Sequence, residues 1–229
     1  MTSPPTLAGP CTQQLVCWPL SAPISLAAPL VAAIACFRAW SYSGKGMAAL
    51  DRFLTWWRIR KARPFLRAGC RLLDIGCGAE SLPGTVPHLA EYVGIDPDLP
   101  APRQVGTALF IKGWFPADLP ELPPFDVITM LAVLEHVPPH HQGQVAEACF
   151  RFLKDGGHLI ITTPSPTVDW ILRILQHLHV IDGLRLEQHY GFEPRHTPVI
   201  FCRSGLTLIK QSRFQLGLNN LFVFQKHSP

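Results

Sequence analysis

The stretch Leu72-Leu73-Asp74-Ile75-Gly76-Cys77-Gly78 limits the possible folds of this chain more than any other. A short apolar run, Arg71–Ile75, stops at two closely spaced glycines, as a buried strand does when it enters a tight loop. Glycine there lets the backbone approach a ligand closely. Further apolar runs follow at Glu91–Ile95, Ala108–Lys112, Phe125–Val133 and Leu159–Thr163. Phe125–Val133 reads as the central strand. The turn Lys154-Asp155-Gly156-Gly157 introduces Leu159–Thr163. Helical spacing occupies Gly143–Leu153 and Val168–Leu178, and Leu206–Gln211 with Leu218–Gln225 reads as a closing pair of strands. Strands that are apolar throughout and separated by helices make an α/β sheet covered on both faces.

Acids flank the glycine turn. Asp74 precedes it, and Asp96 ends the next run as Gly94-Ile95-Asp96. In a sheet of this kind ligands sit beyond the carboxyl ends of the strands, and an acid ending the second strand can accept hydrogen bonds from two ribose hydroxyls. The pattern points to a nucleoside. A nicotinamide dinucleotide brings a pyrophosphate and a third glycine in its fingerprint, where this chain has Ser81. Asp74 would also oppose that pyrophosphate. S-adenosylmethionine has no phosphate, and its ammonium suits a carboxylate, so the electrostatics favour it. A Tyr-x-x-x-Lys pair of the reductase type is also missing. The expected architecture is a Rossmann-like doubly wound sheet, mostly parallel, with an antiparallel C-terminal strand and helices on both faces.

Taken in order, Leu72–Gly78, Gly94-Ile95-Asp96, Phe125-Asp126-Val127-Ile128, Leu134-Glu135-His136-Val137 and Leu153-Lys154-Asp155-Gly156-Gly157 resemble one family. It is the class I S-adenosylmethionine-dependent methyltransferases, in the type 11 branch, similar to the quinone-biosynthesis enzymes. The resemblance is strong over residues 70–165. It implies that Asp74, Gly76, Cys77 and Gly78 line the methionine end of the cofactor and that Asp96 holds the ribose. It places Ala132 and Val133 beside the methionine portion. Family members usually follow the third strand with Gly-Asp, the acid contacting adenine. This chain has Gly113-Trp114, so Trp114 either stacks on adenine or is core. His136 lies in the Glu-His-Val element at the mouth of the site, as a base, a substrate contact or a helix-start hydrogen bond. His189, with Tyr190, falls where the family places its substrate-side insertion. The prolines between His136, His140 and His141 argue against a metal site.

The implied function is methyl transfer to an O, N or C atom of a small-molecule or lipid/glycan-type acceptor. The alternatives are a nicotinamide-dependent reductase and a non-catalytic methyltransferase-like binding module. With 48% hydrophobic and 16% charged residues among 229, the chain is neither disordered nor a coiled coil. Its length suits one domain. Seven scattered cysteines, without Cys-x-x-Cys, suggest reduced thiols in a cytoplasmic setting.

Charge divides the chain. Residues 1–37 have none, residues 38–71 carry nine Lys or Arg against Asp51, and the remainder is slightly acidic. Leu15–Phe37 is long enough to span a bilayer but is broken by Pro19, Pro23 and Pro29. It reads as an anchor, a disordered extension or a segment ahead of the native start. We therefore divide the chain into an apolar, proline-rich extension, 1–46, and one domain, 47–229. From Met47, Leu50, Phe53, Leu54 and Trp57 recur at helical spacing until Pro64. A Trp- and Arg-rich helix there either lies on a membrane surface, through residues 15–63, or covers the edge of the domain. The basic segment has no recognisable nucleic-acid reading motif.

Overall fold

The computed structural model describes residues 44–78, 82, 86, 88–165 and 192–227, with side chains described from Phe53 onward. Helix α1 spans Gly44–Ala62, beginning three residues before Met47. Pro64 ends it as expected: Arg63–Phe65 tightens into one turn of 3-10 helix. The strands are β1 (Arg71–Ile75), β2 (Glu91–Asp96), β3 (Arg103–Val105), β4 (Ala108–Lys112) and β5 (Phe125–Leu131). Helix α2 (Pro139–Phe152) leads directly into β6 (Leu153–Pro164). Helix α3 (Thr197–Arg203), β7 (Leu206–Phe214) and β8 (Asn219–Lys226) complete the described chain.

The eight strands form one sheet in the order β3-β4-β2-β1-β5-β6-β8-β7. β1 pairs in parallel with β2 and β5, β2 with β4, and β5 with β6. β3, β7 and β8 run antiparallel to their neighbours. The doubly wound, mostly parallel sheet with an antiparallel end is thus present.

Alternation along β1 divides the core in two. Leu73 points into one cluster with Val93, Ile128, Leu159 and Phe222, covered by Val145, Cys149 and Phe152 of α2 and Phe201 of α3. Leu72 points into the other, with Tyr92, Phe110, Ile160 and Val223, covered by Ile59 and Ala62 of α1. Each face is sealed by helix, so the strands are apolar throughout.

Several boundaries differ from the sequence reading. β5 stops at Leu131, not Val133, because Ala132 turns into the left-handed region at φ 60. α2 starts at Pro139 rather than Gly143, since proline needs no hydrogen-bond partner for its nitrogen in a first turn. β6 begins at Leu153, not Leu159. The Lys154–Gly157 turn is a bulge within it, where the register against β5 shifts between Phe125 and Val127. β3 and α3 were not anticipated: one is three exposed residues, the other seven residues with a proline. Phe53 is not on the buried face of α1. It lies about 120° round the helix from Ile59 and is 48% exposed. The helix expected at Val168–Leu178 and the Leu15–Phe37 run lie outside the described residues. Among the described residues no helix is long and apolar enough to cross a membrane.

Arg71 ties the amino edge of the sheet. Its Nε donates to Glu91 at 2.6 Å, and its Nη1 donates to the carbonyls of Pro123 and Pro124 at 2.7 Å each. Beside it, Asp126 accepts the Arg71 amide at 2.8 Å and Lys154 Nζ at 2.7 Å. We expect Arg71→Ala to lower stability by about 1–3 kcal/mol. Urea denaturation checks this, and cofactor affinity should not change, because the glycine turn sits at the opposite edge.

Candidate functional site

The site lies at the carboxyl edge, where β1 and β2 end side by side. Gly76 N–H donates to Ile95 O at 2.8 Å, which carries the β1–β2 pairing into the turn. Gly76 and Gly78 have φ 72 and 57, values that side chains rarely adopt. A Cβ on Gly76 would lie 2.3 Å from Val133 Cγ2. The turn is therefore pressed against the loop after β5, and the structure brings Gly76 and Val133 together.

Asp96, 9% exposed, binds two backbone amides. Gly78 N–H donates to Oδ2 and Asp98 N–H to Oδ1, each at 2.8 Å. Each carboxylate oxygen can accept a further bond. Gly113 N–H donates to the Asp96 carbonyl at 3.2 Å, which draws the loop after β4 to the same corner.

Asp74 sits under the turn, 4% exposed. Tyr92 Oη donates to its Oδ2 at 2.9 Å and Thr129 Oγ1 to its Oδ1 at 2.6 Å. Burial is the main cause that lifts its carboxyl from 3.8 to about 6. The two hydroxyls oppose the shift and the Asp96 charge adds to it. The Cys77 side chain is also buried, and a Cβ on Gly94 would lie 2.8 Å from its Sγ. Burial, then Asp74 and Asp96, push this thiol up to about 12. Any contact of Cys77 with a ligand is therefore through its backbone.

Trp114 is 68% exposed, so it is not core. Its amide donates to Asp118 Oδ2 at 2.7 Å, and a Cβ on Gly113 would meet Asp118 Cβ at 2.4 Å. Asp118 thus closes the turn that begins at Gly113. Ala132, at φ 60, donates its N–H to Thr162 O at 2.8 Å. His136 ends a single 3-10 turn, Leu134–His136, and is exposed; its N–H donates to Val133 O at 2.9 Å. His140 and His141 are exposed in the first turn of α2. His189 and Tyr190 lie outside the described residues.

Sequence reasoning missed Tyr92, Thr129, Asp118 and the buried Glu135. Thr129 faces Asp74 in the β1–β5 register, and Asp118 is five residues beyond Gly113. Only the fold makes these neighbours.

A family model described as a methyltransferase domain matches residues 48–211. The chain belongs to the methyltransferase domain family. Within it, this is a class I S-adenosylmethionine-dependent methyltransferase that resembles quinone-biosynthesis enzymes. It is 34% identical over 111 residues to a ubiquinone biosynthesis O-methyltransferase of Nitrosococcus oceani, covering 44% of this chain and 46% of that one. A counterpart from Alkalilimnicola ehrlichii is 36% identical over 106 residues, covering 42% of each chain. The chain thus spans under half the length of these curated relatives. In fold it is similar to the N-methyltransferase NodS of Bradyrhizobium japonicum in complex with S-adenosylhomocysteine. The TM-score is 0.59 at 16% identity, covering 85% of this chain and 98% of that one.

The residues present fit this cofactor. Two carboxylates, Asp74 and Asp96, converge under and beside the turn, and among the described residues the charge that acts on Asp74 is that of Asp96. A ligand bearing an ammonium and a sulfonium complements that field, whereas a pyrophosphate opposes it.

Asp74 gives the protein a pH signature. The folded chain keeps this proton to about pH 6 and the unfolded chain only to about 3.8. Between those values the folded state binds more protons, so stability falls as pH rises through the window and levels off above it. The drop is on the order of 3 kcal/mol. Urea melts from pH 4 to 7 should show it in the wild type, and the Asp74→Asn variant should lose that slope whatever its absolute stability.

Proposed function

We propose that this enzyme transfers the methyl group of S-adenosylmethionine to an oxygen, nitrogen or carbon nucleophile of a small-molecule or lipid/glycan-type acceptor. The observation that supports it most is the Asp96 carboxylate held between the amides of Gly78 and Asp98, with acceptor capacity left for two ribose hydroxyls. When bound, the cofactor supplies an activated methyl group, open to in-line displacement. This chain's part is to hold and align the two reactants. Gly76 and Gly78 keep side chains out of the approach, and Asp74 supplies a negative field toward the ammonium. Ala132 and Val133 border the methionine portion. Trp114 is exposed and offers a ring face for adenine.

The curated relatives are named as O-methyltransferases of ubiquinone biosynthesis, and this supports a hydroxyl as acceptor. A hydroxyl must lose its proton during attack. His136, exposed three residues after the Val133 that abuts Gly76, is the proposed base, with His189 second. A cytoplasmic location belongs to the same proposal.

Two variants test the reading. Asp96→Ala should weaken binding of S-adenosylmethionine and S-adenosylhomocysteine by about 2–4 kcal/mol in calorimetry. Tight NADH binding by the wild type would sink the proposal. His136→Ala should slow turnover roughly 10²-fold while cofactor affinity holds. If activity falls only in step with melting temperature, His136 is structural. Cofactor binding without turnover on any acceptor would leave a binding module.

A further inference from the structure

Phe53, Trp56 and Arg60 are exposed on α1 at three- and four-residue spacing, and two further exposed arginines follow the helix, Arg63 in the 3-10 turn and Arg67 in the segment beyond it. The spacing puts Phe53, Trp56 and Arg60 on a single face of the helix. Phe53 and Trp56 are each 48% exposed, with ring centroids 6.0 Å apart. The Arg60 guanidinium lies 5.3 Å from the Trp56 ring centroid. Beside the aromatic end stands the tip of the β7–β8 turn. Leu216 there is 87% exposed, and Gln215 and Leu216 both take left-handed φ values, 52 and 57. Gln215 fixes this tip: its Nε2 donates to the Leu54 carbonyl of α1 at 3.3 Å, and its Oε1 accepts from Asn219 Nδ2.

The tip sits at a definite edge of the sheet. Asn219, where β8 begins, pairs with Pro164, the last residue of β6. The tip therefore lies at the carboxyl edge, shared with the glycine turn and Asp96. An apolar tip and two rings mark that end of the stripe, and arginines mark the other.

We propose that this face docks the enzyme on an anionic lipid surface. Leu216, Phe53 and Trp56 enter the interface and the arginines meet the headgroups. The carboxyl edge, with its cofactor site, is then presented to an acceptor held in the membrane. The proposal deepens the reading of a lipid-type acceptor and rests on it for what is reached.

Charge selects this occupant. Residues 38–71 hold nine basic residues and one acid. A second copy docking by the same face would set arginine against arginine. Residues 1–37 of the chain itself contain no Asp or Glu to meet them. An aromatic and basic face with a protruding leucine suits a headgroup layer, where rings sit at the boundary and each nearby cation adds attraction.

The test is flotation of the full chain with phosphatidylcholine vesicles containing about one third phosphatidylglycerol. We expect wild type to float. Leu216→Asn with Trp56→Ser should lower the bound fraction about tenfold or more, and Arg60→Glu should do the same on these vesicles. Melting temperature and S-adenosylhomocysteine affinity, measured without vesicles, should stay at wild-type values in all variants. Leu216→Asn alone sits in an exposed turn whose φ suits Asn, which keeps a folded variant in hand. Variants that float like wild type overturn the proposal. So does self-association in light scattering that Leu216→Asn abolishes, which would make the face an interface between copies. Loss of cofactor binding by the wild type, with flotation and its variant effects intact, strikes the methyltransferase reading and leaves the docking surface standing.

Discussion

The bond from the Gly78 amide to the Asp96 carboxylate holds the functional corner together. It joins the loop after β1 to the end of β2, and the Asp98 amide anchors the other oxygen. Gly113 reaches the backbone of the same aspartate. Three loops thus converge on one residue at the carboxyl edge. None could do so if β1 and β2 were out of register, because Ile75 must lie opposite Ile95 for Gly76 to meet the Ile95 carbonyl. The parallel sheet sets that register through its two buried faces. A shift of one residue would turn Leu72 and Leu73 into the wrong clusters.

The two edges of the sheet are built differently. At the amino edge Arg71, Glu91, Asp126 and Lys154 link neighbouring strands through side chains. At the carboxyl edge the linking groups are backbone amides on glycine turns and carboxylates with spare acceptor capacity. Left-handed residues stand at both edges; at the carboxyl edge they include Gly76, Gly78, Ala132, Gln215 and Leu216. Backbone strain of this sort persists where the surroundings hold it in place. Here Val133 against Gly76 and Gln215 against Leu54 do the holding.

Much of this was legible in the chain itself, for a physical reason. Strands buried on both faces are continuous apolar runs, so β1 and β4 were delimited residue for residue and β2 to within one. The glycine turn and Asp96 were legible because each must be a particular residue type. Long-range partners left no local trace. Tyr92 and Thr129 meet Asp74 only through the pairing of three strands, and nothing in their neighbourhoods distinguishes them from core residues. The role of Asp118 was hidden because its carboxylate reaches back four residues to the Trp114 amide. Helical spacing grouped Phe53 with Leu50, Leu54 and Trp57, whereas Ile59 and Ala62 define the buried face.

Asp74 shows why such a site does not come from packing alone. A carboxylate this buried is an electrostatic cost to the fold, and the neighbouring Asp96 increases it. Tyr92 and Thr129 offset part by donating hydrogen bonds, but a hydroxyl brings no positive charge. An apolar residue of similar size would relieve that cost but leave the buried Tyr92 and Thr129 hydroxyls without this acceptor. A cation close to the turn would favour the ionised form. On the proposed reading the ammonium of the cofactor supplies that charge. Cofactor binding and folding would then be linked through one carboxylate, whose ionised form costs the fold stability above about pH 6 and favours a cationic ligand.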